Sequence, residues 1–261
     1  MPDTTAVLAE SAVWAHMPAA LDDGPAARAA IGLVALASDA VIEPELTTFL
    51  PRDGVSLYVE RIPVLKMSGL AKLEAMEARV PEAAARILPD EALDVIGFGC
   101  TAGSMVIGPE GVAAAINGPR PGVPVTNPVS AALKGLRVLG LKRIALLTPY
   151  VDEVNEKVGA FVAGQGFEVA VKGSFKQTRD YWICRVPPEA IFEAGRELGS
   201  ADVDGLFISC TAMRCSSVIA RIEDAIGKPV VTSNQALAWD FMRLAGCDDR
   251  IEGYGRLLTV A

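Results

Sequence analysis

Two cysteines, Cys100 and Cys210, stand at the end of apolar runs, and each is followed by Thr-Ala. Such a run, leading into a segment of small residues, is typical of a buried strand that precedes a helix. The sequence therefore predicts that each thiol lies over a helix N-terminus. There the free amides and the helix dipole would favour the thiolate and lower the cysteine pKa from ~8.5 to roughly 3.5–7.5.

The chemistry expected of this pair is proton transfer without a cofactor. The only histidine is His16, near the start of the chain, so a Cys-His pair of the protease type cannot form in the core. A thiolate and a thiol on opposite sides of a substrate carbon can remove a proton from one face and return one to the other. Four backbone amides can hold the substrate carboxylate. They belong to Thr101, Ala102, Thr211 and Ala212.

Asp39 and Tyr150 occupy matching loop positions, since 150 − 39 = 111. Loops that follow parallel strands overhang the ligand cleft of an α/β fold. A Tyr150 hydroxyl can donate to a carboxylate, whereas Asp39 would repel one unless it were protonated or bound an amine or hydroxyl. Both also suit solvent-facing loop positions without a function. Asn127 and Asn234 follow later strands and are predicted to cap helices.

Other interpretations of the cysteines and glycines stay open at this point. Cys100 and Cys210 can be structural, because cysteine is among the most buried residue types. Their equivalent places in a repeat favour a function. The other three cysteines lack such a partner and are interpreted as packing residues, and no Cys or His spacing indicates a metal site. They are Cys184, Cys215 and Cys247.

A glycine motif beside Cys100 suggests a nucleotide but lacks the second half of its signature. Gly97-Phe-Gly-Cys-Thr-Ala matches the G-x-G-x-x-A pattern after a strand. A dinucleotide site also needs an acid about 20 residues on, where this chain reads Val123-Pro-Val-Thr-Asn-Pro. No nucleotide or other cofactor is expected.

The elements that must position these residues occur twice. Asp94-Val-Ile-Gly-Phe-Gly-Cys-Thr-Ala resembles Asp204-Gly-Leu-Phe-Ile-Ser-Cys-Thr-Ala, at an offset of 210 − 100 = 110. Pro124-Val-Thr-Asn resembles Pro229-Val-Val-Thr-Ser-Asn, at 229 − 124 = 105. Short apolar runs alternate with helical segments, which predicts βαβ units. The predicted strands are 31–37, 55–59, 95–99, 123–126, 144–148, 167–171, 205–209 and 229–232.

The repeat predicts an α/β fold of two pseudo-symmetric, doubly wound (Rossmann-like) parallel-sheet lobes with the active site in the cleft between them. Lobe 1 is expected to comprise residues 31–126 and 233–261, and lobe 2 residues 127–232. The helix after Asn234 should return to lobe 1. Residues 1–30 are expected to form a mobile extension or an added helix.

Composition narrows the class of partner. Lys plus Arg total 24 and Asp plus Glu total 32, so the net charge is 24 − 32 = −8, and no basic run occurs. Nucleic acid and membranes are therefore not expected as partners. No apolar stretch approaches the ~20 residues of a membrane span, and no secretory signal is evident. Five scattered cysteines favour a reducing, cytoplasmic setting.

The motifs resemble the aspartate/glutamate racemase superfamily, in particular the branch of maleate cis-trans isomerases, ectoine-utilisation proteins and arylmalonate decarboxylases. The resemblance covers about residues 31–245. It rests on four segments: Gly97-Phe-Gly-Cys-Thr-Ala-Gly-Ser-Met, Leu147-Thr-Pro-Tyr-Val-Asp-Glu-Val-Asn, Ile208-Ser-Cys-Thr-Ala and Val231-Thr-Ser-Asn-Gln-Ala.

The resemblance implies a cofactor-independent enzyme, expected to be a homodimer or higher homo-oligomer. It implies that Cys100 is the nucleophile and Cys210 the proton donor, with substrate contacts from Tyr150 and the amides after each cysteine. After the first strand, maleate isomerases usually carry an Asn. This chain has Asp39 there, preceded by Ser38, and in this it resembles the ectoine-utilisation group. This difference argues against maleate itself as the substrate.

The leading hypothesis is an isomerase or racemase that acts on a small carboxylate, including an amino-acid derivative such as one from ectoine breakdown. A rival is a decarboxylase in which Cys210 protonates an enediolate. Decarboxylase relatives carry Gly at the first cysteine position, so Cys100 argues against that activity. A third interpretation is a non-catalytic sensor that binds a small acid between its lobes.

Overall fold

The computed structural model describes Trp14, residues 16–63 and residues 69–261, and these form two parallel sheets of four strands. The strand orders, β2-β1-β3-β4 and β6-β5-β7-β8, are equivalent. This arrangement confirms the predicted two-lobed α/β fold and all eight predicted strands. The strands are β1 (Ala29–Leu36), β2 (Val55–Ile62), β3 (Val95–Gly99), β4 (Val125–Thr126), β5 (Arg143–Thr148), β6 (Glu168–Ser174), β7 (Gly205–Ile208) and β8 (Val230–Thr232).

The central strands β3 and β7 show why continuous apolar runs in the sequence predict strands of these sheets. Every residue of β3 and β7 is buried, because helices cover both faces of each parallel sheet. The edge strands β2 and β6 are partly exposed and include charged side chains such as Glu60 and Lys172. Charge on an edge strand limits pairing with other chains.

The helices flank the sheets, and the last long one contacts elements of both predicted lobes. α11 follows β8 and packs on α6 as well as on α1 and β3, so its predicted return to lobe 1 stays a prediction. No helix in the described ranges has the length and apolar character of a membrane span. The helices are α1 (Ile42–Phe49), α2 (Gly69–Glu74), α3 (Val80–Arg86), α4 (Thr101–Ile107), α5 (Pro109–Asn117), α6 (Pro128–Val138), α7 (Asp152–Gly164), α8 (Asp180–Ile183), α9 (Pro188–Gly199), α10 (Ile219–Ile226) and α11 (Ser233–Leu244).

Most of the predicted extension, residues 1–13 and 15, lies outside the described residues. Its described part, Trp14 and residues 16–28, contains no helix, and β1 begins at Ala29, two residues earlier than expected. The predicted boundaries between the lobes stay predictions.

The contact between β3 and α11 depends on a missing side chain at Gly97. A Cβ at this position would lie 2.7 Å from Phe241 Cε1, and Phe241 is fully buried. We expect Gly97→Ala to lower the free energy of unfolding by about 1–3 kcal/mol, because an overpacked core must shift. Gly164→Ala, where a Cβ meets nothing within 4 Å, is the control and should leave stability unchanged or slightly higher. Equal urea midpoints for the two variants would contradict this packing argument.

Candidate functional site

One cavity of about 150 Å³ lies where the carboxyl ends of the two sheets face each other. Its walls come from the segments directly after β1, β3, β5 and β7, as expected for an α/β cleft. The structure brings all nine predicted site residues to this cavity, while their individual roles stay predictions. They are Ser38, Asp39, Cys100, Thr101, Ala102, Tyr150, Cys210, Thr211 and Ala212.

Cys100 lies at a helix N-terminus, as predicted. It is the N-cap of α4, and its Sγ accepts a hydrogen bond from the Gly103 amide at 3.3 Å. The amides of Thr101 and Ala102 have no acceptor within the described residues, so both are free to bind an anion. The first lobe therefore supplies a thiol and two adjacent amide donors.

Cys210 does not lie at a helix N-terminus, so this prediction was wrong. The segment from Thr211 to Val218 is a series of turns, and α10 begins only at Ile219. Cys210 Sγ instead accepts from the amide of Ala212, at 3.4 Å. The identical Cys-Thr-Ala sequences thus adopt different local structures in the two lobes.

The predicted fall in the cysteine pKa values was also wrong. Burial raises the pKa of Cys100 to about 12, although the Gly103 amide lowers it, and the nearby carboxylates Asp180 and Asp39 raise it further. Burial likewise raises the pKa of Cys210, against a smaller lowering by Tyr150. Before substrate binds, both groups are neutral thiols at pH 7, because the cost of burying a thiolate exceeds the stabilisation by amides.

Asp39 is buried, with 3% of its surface exposed, so the solvent-facing interpretation does not apply. Its Oδ1 accepts from the amides of Val41 at 2.8 Å and Ile42 at 3.0 Å, at the start of α1. Its Oδ2 has no hydrogen-bond partner in the described part of the chain, although the Thr211 hydroxyl is near enough to lower its pKa. Burial outweighs these contacts and raises the pKa of Asp39.

Tyr150 lines the same cavity as Cys210, and the two side chains interact. Burial raises the pKa of Tyr150 well above its usual value, and the neighbouring Cys210 raises it further. The hydroxyl therefore keeps its proton and can act only as a neutral donor or acceptor. Its interaction with Cys210 lowers the pKa of that thiol, which is the direction needed to favour a thiolate.

A charged cluster that the sequence did not reveal forms another part of the wall. Asp180 Oδ2 accepts from Ser38 Oγ at 2.6 Å and from Lys72 Nζ at 3.0 Å. These bonds connect the first lobe to α8 of the second. Lys72, Arg179 and Asp180 line the cavity and follow β2 and β6 in the chain. The sequence could have indicated these residues by their position after the second strand of each lobe, because the ends of those strands also face the cleft.

The two predicted asparagine caps have different outcomes. Asn127 caps α6, and its Oδ1 accepts from the Ser130 amide at 2.9 Å. The cap of α11 is Thr232, paired with Gln235 in a capping box, so Asn234 lies inside the helix and the prediction for it was wrong. Among the described residues, no three His, Cys, Asp or Glu side chains come together as metal ligands would.

Proteins with similar sequences include arylmalonate decarboxylase and maleate isomerases. The family model described as arylmalonate decarboxylase matches residues 41–258. The chain is 32% identical to the arylmalonate decarboxylase of Bordetella bronchiseptica over 83% of this chain and 94% of that protein. It is 30% identical to the maleate isomerase of Nocardia farcinica over 87% of this chain and 94% of the other.

Solved structures show the same similarity in three dimensions. The structure matches a mutant Nocardia farcinica maleate cis-trans isomerase with a covalently bound succinylcysteine intermediate. The TM-score is 0.80 at 27% identity, over 88% of this chain and 98% of that one. In that isomerase, a cysteine forms a covalent bond to the bound four-carbon acid.

Proposed function

The chain belongs to the arylmalonate decarboxylase family, and we propose that it is a cofactor-independent isomerase or racemase in which Cys100 and Cys210 act on one small carboxylic acid. The observation that carries this proposal is the convergence of both thiols on a single cavity. The succinylcysteine intermediate of the similar isomerase supports a cysteine as the reacting group. The family assignment confirms the resemblance identified from the motifs.

The size and donors of the cavity favour a small acid. Pockets for drug-sized ligands span roughly 300–1,000 Å³, whereas this cavity is about 150 Å³. The free amides of Thr101 and Ala102 suit a carboxylate, and charge that develops on it in the transition state is stabilised there. A dinucleotide would not fit.

Two reaction schemes are consistent with this arrangement of the two cysteines. In a racemase, one cysteine as thiolate takes the α-proton and the other, as thiol, delivers a proton to the opposite face, so the pair ends with its charges exchanged. In a cis-trans isomerase, the Cys100 thiolate adds to a double-bond carbon and the Cys210 thiol protonates its neighbour. Reversal of both steps after bond rotation releases the isomer. Each route needs one thiolate and one thiol.

Asp39 provides an argument about which class of carboxylic acid the cavity binds. Its unbonded Oδ2 and raised pKa suit a carboxyl group that binds an amine or hydroxyl of the substrate, or that donates a proton to a substrate oxygen. We propose an amino-acid derivative as substrate, which includes the products of ectoine breakdown.

Tyr150 offers a test of the second lobe. We expect Tyr150→Phe to lower turnover by about 10²-fold, because a preorganised donor beside the reacting groups is lost. The pKa of Cys210 should rise further, since Tyr150 lowers it in the wild type. Steady-state rates and the pH dependence of alkylation at Cys210 measure the two effects. Tyr181→Phe, on an exposed ring outside the cavity, is the control and should change neither. Unchanged turnover in Tyr150→Phe would contradict a role for the Tyr150 hydroxyl in the reaction.

The experiment that tests the proposed function is a screen of dicarboxylates and diamino acids in deuterated water. Proton NMR should show deuterium entering one substrate carbon, or conversion of one isomer into the other. Tight binding with no change over hours would instead indicate a sensor of small acids.

A decarboxylase is the second candidate, because of the 32% identity to the Bordetella bronchiseptica arylmalonate decarboxylase. Cys210 would then protonate the enediolate left by loss of carbon dioxide. Release of carbon dioxide from malonate-type acids, persisting in Cys100→Gly, would select this activity over isomerisation.

A further inference from the structure

The Cys210 segment lacks the helix that fixes Cys100, so other groups must hold it in place. The carbonyl of Thr211 accepts a hydrogen bond from Asn234 Nδ2 at 2.7 Å. Further along the same segment, the amide of Ser216 donates to Glu45 Oε1 at 2.6 Å. Asn234 Nδ2 also donates to Glu45 Oε2 at 3.2 Å, which joins the two anchors.

Both anchoring side chains come from helices that pack on the first lobe. Glu45 lies on α1 and Asn234 on α11, and they are 4% and 1% exposed. The start of α11 is itself fixed, because Thr232 and Gln235 form a capping box and Gln235 Nε2 donates to the Tyr254 carbonyl at 2.6 Å. A buried hydrogen-bond network of this kind restricts its members to one arrangement.

The same turn of α11 also contacts the Cys100 segment. Thr101 Oγ1 donates to Ser233 Oγ at 2.9 Å, and Ser233 is the residue before Asn234. Two consecutive residues of one helix therefore bond to the two Cys-Thr-Ala segments. This geometry fixes the position of one segment relative to the other.

We propose that Asn234 and Glu45 are positioning residues that hold the Cys210 segment at the distance from Cys100 that the reaction requires. This inference rests on the proposed function. The two residues do not line the cavity, so they act through the Thr211 carbonyl and the Ser216 amide.

Asn234→Asp tests the bond to Thr211 with almost no change in shape. An ionised aspartate cannot donate to the Thr211 carbonyl, and it faces the carboxyl group of Glu45. We expect kcat to fall on the order of 10²-fold, as for other small displacements of a reacting group. The rate of alkylation by iodoacetamide should change at Cys210 relative to Cys100, with mass spectrometry reporting both sites in one molecule. The two cysteine residues are equally exposed, at 7% each, so Cys100 is an internal reference.

The double variant Glu45→Gln with Asn234→Asp separates positioning from stability. The amide introduced on α1 can donate to the carboxylate introduced on α11, and its oxygen can still accept from the Ser216 amide. The link between the helices therefore returns, while the Thr211 carbonyl stays without its donor. We expect the melting temperature to recover and kcat to stay low. Recovery of wild-type kcat in this variant would overturn the proposal.

Asn127→Asp is the matched control, because the side-chain bonds of Asn127 within the described residues are both to Ser130 in the first turn of α6, and aspartate caps equally well. It should change neither kcat nor the alkylation ratio. Equal changes in alkylation at both cysteines in Asn234→Asp would also overturn the proposal, since general loosening affects both. If the wild type converts no acid, the alkylation ratio still tests the positioning role, so the two failures are distinguishable.

Discussion

Cys100→Ser and Cys210→Ser are each expected to lower turnover by about 10³-fold, which lies within the usual contribution of a proton-transfer group. A serine hydroxyl has nearly the size of the thiol but is far harder to ionise, so neither variant can complete the pair of one base and one acid. Initial rates on the acid found in the deuterium screen measure the effect. Circular dichroism should show an unchanged fold.

Cys247→Ser is the control for this prediction. Cys247 is exposed to the same 7% as Cys100 and Cys210, yet it lies outside the cavity. Its replacement should leave turnover within the error of the measurement. Full activity in Cys100→Ser with loss only in Cys210→Ser would support the decarboxylase candidate, and full activity in both variants would exclude cysteine chemistry.

The rate should rise steeply with pH, because the substrate-free site holds two neutral thiols. The pKa of Cys100 is raised to about 12, so below that value the thiolate fraction increases tenfold for each pH unit. Since kcat/KM reports ionisation of the free enzyme, it should climb about 100-fold between pH 7 and pH 9. The value of kcat/KM rises with pH because the deprotonated thiolate is the active form.

Measurement of kcat/KM from pH 6 to pH 10 distinguishes this structure from the prediction made from sequence. If kcat/KM levelled off by about pH 8.5, a thiolate would form in the resting enzyme near neutral pH, as the expected pKa of roughly 3.5–7.5 requires. Cys247→Ser should follow the wild-type curve. A fall in kcat/KM above pH 7 would contradict both the raised cysteine pKa of the structure and the lowered pKa expected from the sequence.

The sequence contained enough information to predict the sheets, because each buried parallel strand is a continuous apolar run and several of these runs occur twice. It also placed Cys100, Cys210, Asp39 and Tyr150 at one cleft, since residues that follow parallel strands share an edge. These inferences depend on local pattern and on the repeat, which a single chain displays directly.

The remaining features depend on contacts between distant segments. The thiol pKa values follow from burial in the folded chain, which no local pattern records. The pairing of Lys72 with Asp180 joins residues 108 positions apart. The turn after Cys210 is stabilised by Asn234 and Glu45, so an identical Cys-Thr-Ala sequence could not reveal that its helix is absent.

The burial that keeps Cys100 and Cys210 neutral also bears on oxidative damage. Peroxides attack the thiolate far more readily than the thiol, so a sulfur that is almost entirely a thiol in the resting enzyme offers little of the vulnerable species between substrate encounters. Slow formation of sulfenic acid at rest, and faster formation while the enzyme is working, would be the signature of this protection.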